Sequence, residues 1–313
     1  MYRVATLTAS ARTPDMPETP ETPVPVPATR NRAVLAASVT VVLWASSFVA
    51  IRMLGDVYSP GAMASGRIGI AALVLGIFAL RYRRPLPRGR ALGLVAAYGV
   101  AWFATYMAVL NLAEHHLDAG TAALLVNIAP LLVAVFAGLF LGEGFSRWLM
   151  IGIAVAFTGT VLIASGGTGG GSVNDRLGIV LGLVTALLYA SGVLLQKVAL
   201  RQVDVFSATF LGCVIGAVTL LPFSVQFVRQ TMEAPAGAFA AVVYLGVFPT
   251  ALAFNLWAYA LARTDAGRMA ATSLTVPAIA IALSWLLLGE LPTVLGMVGG
   301  GLCLLGVAIS RRR

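Results

Sequence analysis

The feature that most constrains this chain is a series of ten apolar runs, each about 20 residues long and separated by short polar segments. They lie at 33–54, 61–80, 91–113, 118–141, 147–165, 178–200, 206–227, 238–261, 266–288 and 293–310. A helix needs roughly 20 mostly apolar residues to cross the hydrocarbon core of a bilayer. We therefore expect an all-α polytopic membrane protein with ten transmembrane helices, numbered here as spans 1 to 10 in chain order.

Composition and charge fit this class and exclude two others. Hydrophobic residues make up 59% of the chain and charged residues 11%, whereas soluble domains carry about 25% charged residues. The formal charge of +9 does not predict nucleic-acid binding, because the basic residues lie between apolar runs rather than on one face. Cys213 and Cys303 lie within apolar runs, which indicates buried, reduced thiols and no disulfide framework.

Three polar segments fall outside the spans. Residues 1–32 are rich in Pro and Thr and contain no apolar run of signal-peptide length, so we expect a disordered cytoplasmic tail. The Gly-rich segment 166–177 lacks the Lys and the strand-to-helix context of a phosphate-binding loop, and we interpret it as a linker. Glu114-His115-His116 lies in an outer loop, and we expect neither a metal site nor a cofactor.

The positions of the basic residues predict the orientation, because cytoplasmic loops carry an excess of Arg and Lys. The outer loops would contain only Arg176 and Arg229. With the N-terminus inside, the cytoplasmic segments hold Arg3, Arg12, Arg30, Arg32, the five arginines of 81–90, Arg147, Arg201, Arg263, Arg268 and the last three residues. Both termini are therefore predicted to be cytoplasmic, and the lipid partner is expected to be a bacterial inner membrane.

The chain also contains an internal repeat. "DAGTAALLVNIAPLLVAVFAGLFLGE" (118–143) and "DAGRMAATSLTVPAIAIALSWLLLGE" (265–290) share Asp-Ala-Gly, a central Pro and Leu-Gly-Glu at a constant offset of 147. "LWASSFVAIR" (43–52) is similar to "LYASGVLLQK" (188–197) at an offset of 145. These matches pair spans 4 and 9 and spans 1 and 6, so the unit is five helices. Since five is odd, the two units must be inverted, as in secondary carriers with a site near the midplane.

These residues resemble the drug/metabolite transporter superfamily, in its EamA-like branch. The resemblance covers about residues 33–310, with one five-helix repeat at 33–165 and the second at 178–310. It implies a proton-coupled or facilitative carrier, often an exporter, of small metabolites or drugs. It also implies a cavity lined mainly by the first, third and fourth helices of each repeat.

The central prolines are candidate cavity residues. Pro130 and Pro277 lie about 18–20 Å from the ends of their spans at 1.5 Å per residue, which places them near mid-bilayer. A proline within a helix frees a backbone carbonyl, which in lipid must face protein or a water-filled cavity. Asn127, Ser273 and Thr275 are the polar neighbours of these prolines. Cavity lining and a packing kink satisfied by local side-chain bonds are both open.

The Leu-Gly-Glu ends predict helix termini. Gly142 and Gly289 are expected to adopt the left-handed conformation that ends a helix. Glu143 and Glu290 would then stabilise the positive N-terminus of the helix that follows each of them.

Aromatic and small polar residues deep in the spans are further candidates for substrate binding. Trp44 and Tyr189 lie near the middle of spans 1 and 6, away from the interfacial belts where such residues usually lie. Ser47 and Ser191 are close to them in sequence. Packing of helices through small residues is the alternative interpretation.

The third span of each repeat adds Tyr106, Asn255 and Tyr259. Asn255 and Tyr259 are four residues apart and share one helix face, so they could bind substrate or each other. Pro249 is expected to break span 8.

Arg67 is the ionisable residue within a span that most suggests function. It lies about seven residues into span 2, and it could be a counter-charge for an anionic substrate or an anchor that reaches back to the interface. Arg52 and Lys197 lie near span ends, and we expect them to be anchors. Span 1 contains no carboxylate, which argues against a proton-coupled exporter of cationic drugs.

Small residues in spans 5 and 10 predict close helix packing. We assign them to a scaffold within the chain or to contacts in a homodimer. The residues concerned are Gly152, Ala156, Gly159, Gly296 and Gly300.

Together these features predict a secondary transporter, not an enzyme, that exports a small neutral or zwitterionic, amino-acid-like metabolite by alternating access. A multidrug or cation exporter, a channel and an intramembrane enzyme are the alternatives. An enzyme would need convergent nucleophile–base or acid–base groups, and the spans offer almost none. Coupling to protons and a homodimeric state are left open by the sequence.

Overall fold

The computed structural model describes residues 27–54, 57–82, 86–114, 116, 125–165, 176–289, 291 and 293–312. The predicted tail up to residue 26, most of the predicted linker and the Asp118-Ala119-Gly120 motif lie outside the described residues. Within the described part all regular secondary structure is helical, which confirms the all-α class.

The described chain contains fourteen α-helices, here α1 to α14. Two π-helical segments, Gly99–Tyr106 and Gly246–Leu252, join α3 to α4 and α10 to α11, and a short 3₁₀ turn, Leu221–Phe223, precedes α9. The α-helices are α1 Pro27–Leu54, α2 Pro60–Tyr82, α3 Arg90–Tyr98, α4 Met107–Glu114, α5 Ala129–Phe140, α6 Arg147–Ser165, α7 Arg176–Ala199, α8 Val205–Thr219, α9 Ser224–Glu233, α10 Ala236–Leu245, α11 Ala253–Leu261, α12 Ala266–Ser273, α13 Val276–Leu288 and α14 Val294–Ser310.

The number of membrane crossings differs from the predicted ten. Seven helical stretches of the described chain are long and apolar enough to span a bilayer, and they coincide with spans 1, 2, 3, 5, 6, 8 and 9. Span 7 is an eighth only if its two bent halves are counted as one. Spans 4 and 10 contain the shorter apolar helices α5 and α14. The described chain thus shows seven or eight spanning helices.

Two further boundaries differ from the predictions. Helix α1 begins at Pro27, so the last residues of the predicted tail are helical, and proline suits such a start because its missing N–H has no helical acceptor there. Span 7, predicted as one helix over 206–227, bends by 58° between Thr219 and Leu221. Pro222 lies at this bend and cannot donate the hydrogen bond that would continue the helix.

The repeat is visible in the backbone as two π-helices at matching positions. They begin at Gly99 and Gly246, which are separated by the same offset of 147 as the longer sequence match (246 − 99 = 147). A side chain at Gly99 would meet the Gly212 carbonyl oxygen at 2.8 Å, and one at Gly246 would meet the Arg67 carbonyl oxygen at 3.0 Å. Each third span therefore packs tightly against the second span of the other repeat.

Span 8 is continuous at Pro249, contrary to the predicted break. The chain passes through Pro249 as a π-helix. The wider π turn accommodates the proline ring. Trp44 and Arg67 of the first repeat both donate hydrogen bonds to this segment.

Helices α6 and α14 cross through glycines. A Cβ added at Gly152 would lie 2.5 Å from the Gly306 carbonyl oxygen, and one added at Gly299 would lie 2.5 Å from the Gly159 carbonyl oxygen. The backbones of spans 5 and 10 are therefore in direct contact. These glycines build a scaffold within one chain.

We expect Gly159→Ala to destabilise the protein, because the new methyl group would overlap the Gly299 carbonyl oxygen on the facing helix. Overpacking of this kind costs about 1–3 kcal/mol. The measurement is the melting temperature in detergent. Gly301→Ala on α14 is the matched control, since a Cβ there meets no atom within 4 Å, and equal melting temperatures for both variants would contradict this account.

Candidate functional site

Short turns at residues 127–128 and 274–275 lie near the centres of spans 4 and 9. Helix α5 begins at Ala129 and α13 at Val276, so Pro130 and Pro277 each lie in the first turn of a helix. The prediction of a proline inside a continuous helix was therefore wrong in detail. At the first turn a proline displaces no helical hydrogen bond. Each of these spans thus has a turn directly before its central proline, and residues 266–287 of span 9 still form one helical stretch long enough to cross a bilayer.

The polar residues at these breaks are tied to local backbone. Ser273 Oγ donates to the Ala270 carbonyl oxygen at 2.7 Å, and Thr275 Oγ1 donates to the Thr272 carbonyl oxygen at 2.8 Å. Asn127 is half-buried in the turn before α5. Local hydrogen bonds of Ser273 and Thr275 thus stabilise the turn before Pro277.

Ser273 has a second partner, which makes it part of a polar cluster. Tyr189 of span 6 donates from its hydroxyl to Ser273 Oγ at 3.2 Å, and its ring centroid lies 5.9 Å from that of Tyr106 in span 3. We call Tyr106, Tyr189 and Ser273 the tyrosine cluster. The structure thus brings together three residues that the sequence named separately, from the first, third and fourth helices of their repeats.

Trp44 of span 1 is held against span 8. Its indole N–H donates to the Pro249 carbonyl oxygen at 3.2 Å, and its ring packs against Phe254 and Trp257 with centroids 5.3 and 4.8 Å away. One turn earlier, Thr40 Oγ1 donates to the Ala253 carbonyl oxygen at 3.2 Å. Span 1 therefore supplies donors to carbonyls at the π-helical segment of the other repeat.

The other predicted residues have internal roles or lie at the edge of this region. Ser47 Oγ donates to the Trp44 carbonyl oxygen at 2.6 Å, and Asn255 Nδ2 donates to the Ala251 carbonyl oxygen at 2.8 Å. The ring of Tyr259 is covered by the Arg263 guanidinium, 3.7 Å from its centroid. Ser191 is half-buried in span 6.

Arg67 is buried, with 9% of its surface exposed. Its Nε donates to Thr250 Oγ1 at 2.6 Å, and that hydroxyl donates to the Leu245 carbonyl oxygen at 2.7 Å. In an α-helix Leu245 O would pair with the N–H that Pro249 lacks, and here the Thr250 hydroxyl donates to it instead. The same hydroxyl holds the buried Arg67 side chain within the helix bundle.

Two charged residues on another part of the chain cap helix ends, and one of them, Glu143, connects the two repeats. Glu143 accepts hydrogen bonds from the backbone N–H groups of Ala266 and Gly267 at 2.8 and 3.3 Å. Lys197 Nζ donates to the carbonyl oxygens of Leu261, at 2.7 Å, and Thr264. The carboxylate thus caps the N-terminus of α12, and the ammonium caps the C-terminus of α11.

This geometry corrects one prediction and confirms another. Gly142 and Gly289 both have φ of 70°, so the left-handed helix ends are confirmed. Glu143, however, caps a helix of the second repeat rather than the helix that follows it, because α12 begins with unpaired N–H groups and Asp265, at its N-cap, makes no side-chain cap. Glu290 lies outside the described residues, and so does the side chain of Arg52.

Several residues of this region were missed by sequence reasoning. Trp102 and Trp257 are fully buried aromatic residues of the third spans, and the Trp102 centroid lies 5.4 Å from that of Tyr189. The offset of 147 would have paired Trp102 with Pro249 (102 + 147 = 249). Trp102 of the first repeat contacts Tyr189 in the first helix of the second repeat. Pro249 of the second repeat contacts Trp44 in the first helix of the first repeat.

An apolar groove of about 700 Å³ lies elsewhere, between spans 2 and 7. Its lining includes Leu73, Ile77 and Leu80 of α2 and Phe210 of α8. Such a lining suits lipid chains rather than a polar metabolite, so we do not place the transport site there.

We expect Glu143→Ala to lower the thermal stability of the purified protein, because two backbone N–H groups at the start of α12 would lose their acceptor. Loss of a helix N-cap costs about 0.5–2 kcal/mol. The exposed Glu233, at the end of α9, supplies the control Glu233→Ala, which should melt like the parent. An unchanged melting temperature for Glu143→Ala would refute the cap.

Comparison with known proteins identifies the same duplication. A model of the EamA-like transporter family matches residues 31–165 and again residues 176–312. A Streptantibioticus cattleyicolor protein named "Probable terminal-alkyne amino-acid exporter" is 35% identical over 285 residues, which make up 90% of this chain and 94% of that protein. The Bacillus subtilis "Uncharacterized transporter YdfC" is 30% identical and covers 88% of this chain and 90% of its own length.

More distant similarities agree. The Escherichia coli K12 "Uncharacterized inner membrane transporter YedA" is 26% identical over 80% of each chain. A solved crystal structure with 19% identity superposes with a TM-score of 0.74 and covers 90% of this chain and 97% of its own. At that identity the superposition supports the fold alone.

Proposed function

We propose that this protein, which belongs to the EamA-like transporter family, is a secondary carrier that exports a small amino-acid-like metabolite by alternating access. The observation that carries the proposal is the turn before a proline at the matching position of each repeat, with the tyrosine cluster at the turn in span 9. Carriers place substrate sites at such interruptions, where irregular backbone lines a cavity instead of facing lipid.

The substrate class is supported by the relatives. The Streptantibioticus protein, which aligns over nearly the whole chain, is named as an amino-acid exporter. The polar groups of the tyrosine cluster are neutral hydroxyls on aromatic and small side chains, which suit a small neutral or zwitterionic molecule. An exporter of drugs or cations is the second candidate.

We propose ten membrane crossings in two inverted repeats, with both termini in the cytoplasm of a bacterial cell. The proposal requires that α5 and α14, which are shorter than a typical span, and the bent pair α8 and α9 all cross or line the membrane. The distribution of arginines supports this orientation. The inner-membrane relative in Escherichia coli supports the location.

We propose that the predicted residues line one substrate pathway, in which some contact the substrate and the others form the surrounding wall. Tyr106, Tyr189 and Ser273 would contact the substrate, because they meet across three spans. The others would shape the wall around them: Trp44, Ser47, Asn127, Pro130, Ser191, Asn255, Tyr259, Thr275 and Pro277.

Glu143 and Lys197 supply a closing device for alternating access. In the proposed orientation both lie on the cytoplasmic side, where Glu143 of the first repeat binds the start of α12 and Lys197 of the second repeat binds the end of α11 and Thr264. The Glu143 bonds, which join the two repeats, would hold that side shut and would have to break when the carrier opens to the cytoplasm, while Lys197 would keep the bound segment in place.

The orientation is tested by cysteine labelling in intact cells. We expect Arg229→Cys to react with a membrane-impermeant maleimide added outside, and Leu86→Cys to react only after permeabilisation. Both positions are exposed, while the native Cys213 and Cys303 are buried, so background labelling should be low. The reverse pattern would overturn the proposed topology.

Carrier function is tested by counterflow in proteoliposomes loaded with L-propargylglycine, a terminal-alkyne amino acid. We expect saturable exchange, with Tyr189→Phe and Ser273→Ala each slowing it several-fold because their shared hydrogen bond is lost. Thr158→Ala is the control, since Thr158 is exposed on α6 and bonds only to its own helix. Flux that rises linearly with concentration, without counterflow, would instead identify a channel.

A further inference from the structure

We propose that Arg67 binds the carboxylate of the transported molecule, so that the substrate is a carboxylate-bearing amino acid rather than an amine. This inference rests on the proposed function and deepens it by naming the group that the site recognises.

The first argument is the burial of a charge without a matching anion. Arg67 lies seven residues into α2, with its side chain buried. Within the ranges that the structure describes, one ion pair is present, between Arg268 and Asp265, and it does not involve Arg67. A buried charge is costly unless an opposite charge compensates it, so a bound carboxylate would stabilise Arg67.

The second argument is asymmetry between the repeats. An offset of 146 aligns Gly66-Arg67 of span 2 with Gly212-Cys213 of span 7 (66 + 146 = 212). Both glycines lie where a Cβ would clash with an aromatic ring, of Phe227 and Tyr98 respectively. The glycine therefore packs in the same way in both repeats, while the cation that follows it is present in one repeat alone. This is expected for a residue that binds a ligand.

The third argument is the orientation of the guanidinium. Thr250 accepts a hydrogen bond from Nε at 2.6 Å, and Thr250 is itself fixed by the Leu245 carbonyl oxygen. This holds one edge of the planar group and orients the terminal nitrogens, whose N–H groups bind carboxylates in a two-bond, fork-like geometry. Thr250 is therefore a positioning residue for Arg67.

The fourth argument is proximity to the tyrosine cluster. Ile68, the residue after Arg67, belongs to the same buried cluster as Tyr189, and Tyr106 packs against that cluster; the ring centroid of Tyr106 is 5.9 Å from that of Tyr189. A substrate whose carboxylate lies on Arg67 would thus extend toward Tyr189 and Ser273. Aromatic faces attract cations, so these rings suit the α-ammonium group of an amino acid.

The test compares three probes of the same shape by calorimetry on purified protein: L-propargylglycine, its carboxamide and pent-4-ynoate. The parent should bind both carboxylates at least about tenfold more tightly than the carboxamide, since a hydrogen bond to a charged group contributes on this scale. Arg67→Gln should weaken binding of both carboxylates roughly tenfold to a hundredfold and leave the carboxamide unchanged. Arg67→Lys, which keeps the charge, should retain part of the preference, and the exposed Arg229→Gln serves as control.

Each result separates the two proposals. If the parent binds and exchanges the carboxamide as well as the amino acid, the carboxylate assignment is wrong while the carrier function stands. Equal weakening of all three probes by Arg67→Gln, in a protein that melts normally, would assign Arg67 a structural role only. Should the parent bind none of the probes, both the amino-acid substrate class and the carboxylate assignment are refuted.

Discussion

The constraint on which this structure depends is that backbone polar groups in a bilayer must find partners within the protein. At several described helix ends and at the proline of span 8, a side chain supplies a partner for a backbone group. Thr250 donates to Leu245 O below Pro249, and Trp44 donates to Pro249 O itself. Lys197 and Glu143 do the same at the end of α11 and the start of α12. Trp44 and Glu143 belong to the first repeat and their partners to the second. Their backbone partners are therefore bonded by side chains of the other repeat, and these bonds hold the two repeats together.

Two kinds of interface follow from this. Spans 5 and 10 meet through bare glycine backbone, as at Gly152 and Gly306, which gives a rigid contact with nothing to rearrange. Spans 1, 6, 8 and 9 also meet through hydrogen bonds and aromatic rings, which can be broken and remade at modest cost. A carrier needs both, because one part must stay fixed while the other alternates between two arrangements.

Because the two repeats share many features, the positions at which they differ are informative. The π-helices at Gly99 and Gly246 repeat, and so does the pairing of a mid-span aromatic residue with the opposite third helix. Arg67 has Cys213 at its matching position, and Pro249 has Trp102. Symmetric features serve the fold, which both repeats require. Among the described residues Arg67 is the buried cation of this region, and its lack of a symmetric counterpart is what the proposed role in substrate binding would explain.

The sequence by itself determined the all-α membrane class, the internal repeat, the glycine helix ends and the closeness of Ser273 to the central proline of span 9. These follow from local chemistry, since apolar length, glycine and proline act within a few residues. Only the tertiary structure decided that span 8 continues as a π-helix, that Glu143 caps α12 and that Arg67 is buried on Thr250. Those outcomes depend on partners more than a hundred residues away, and a chain read in order does not reveal which distant donor will satisfy which carbonyl.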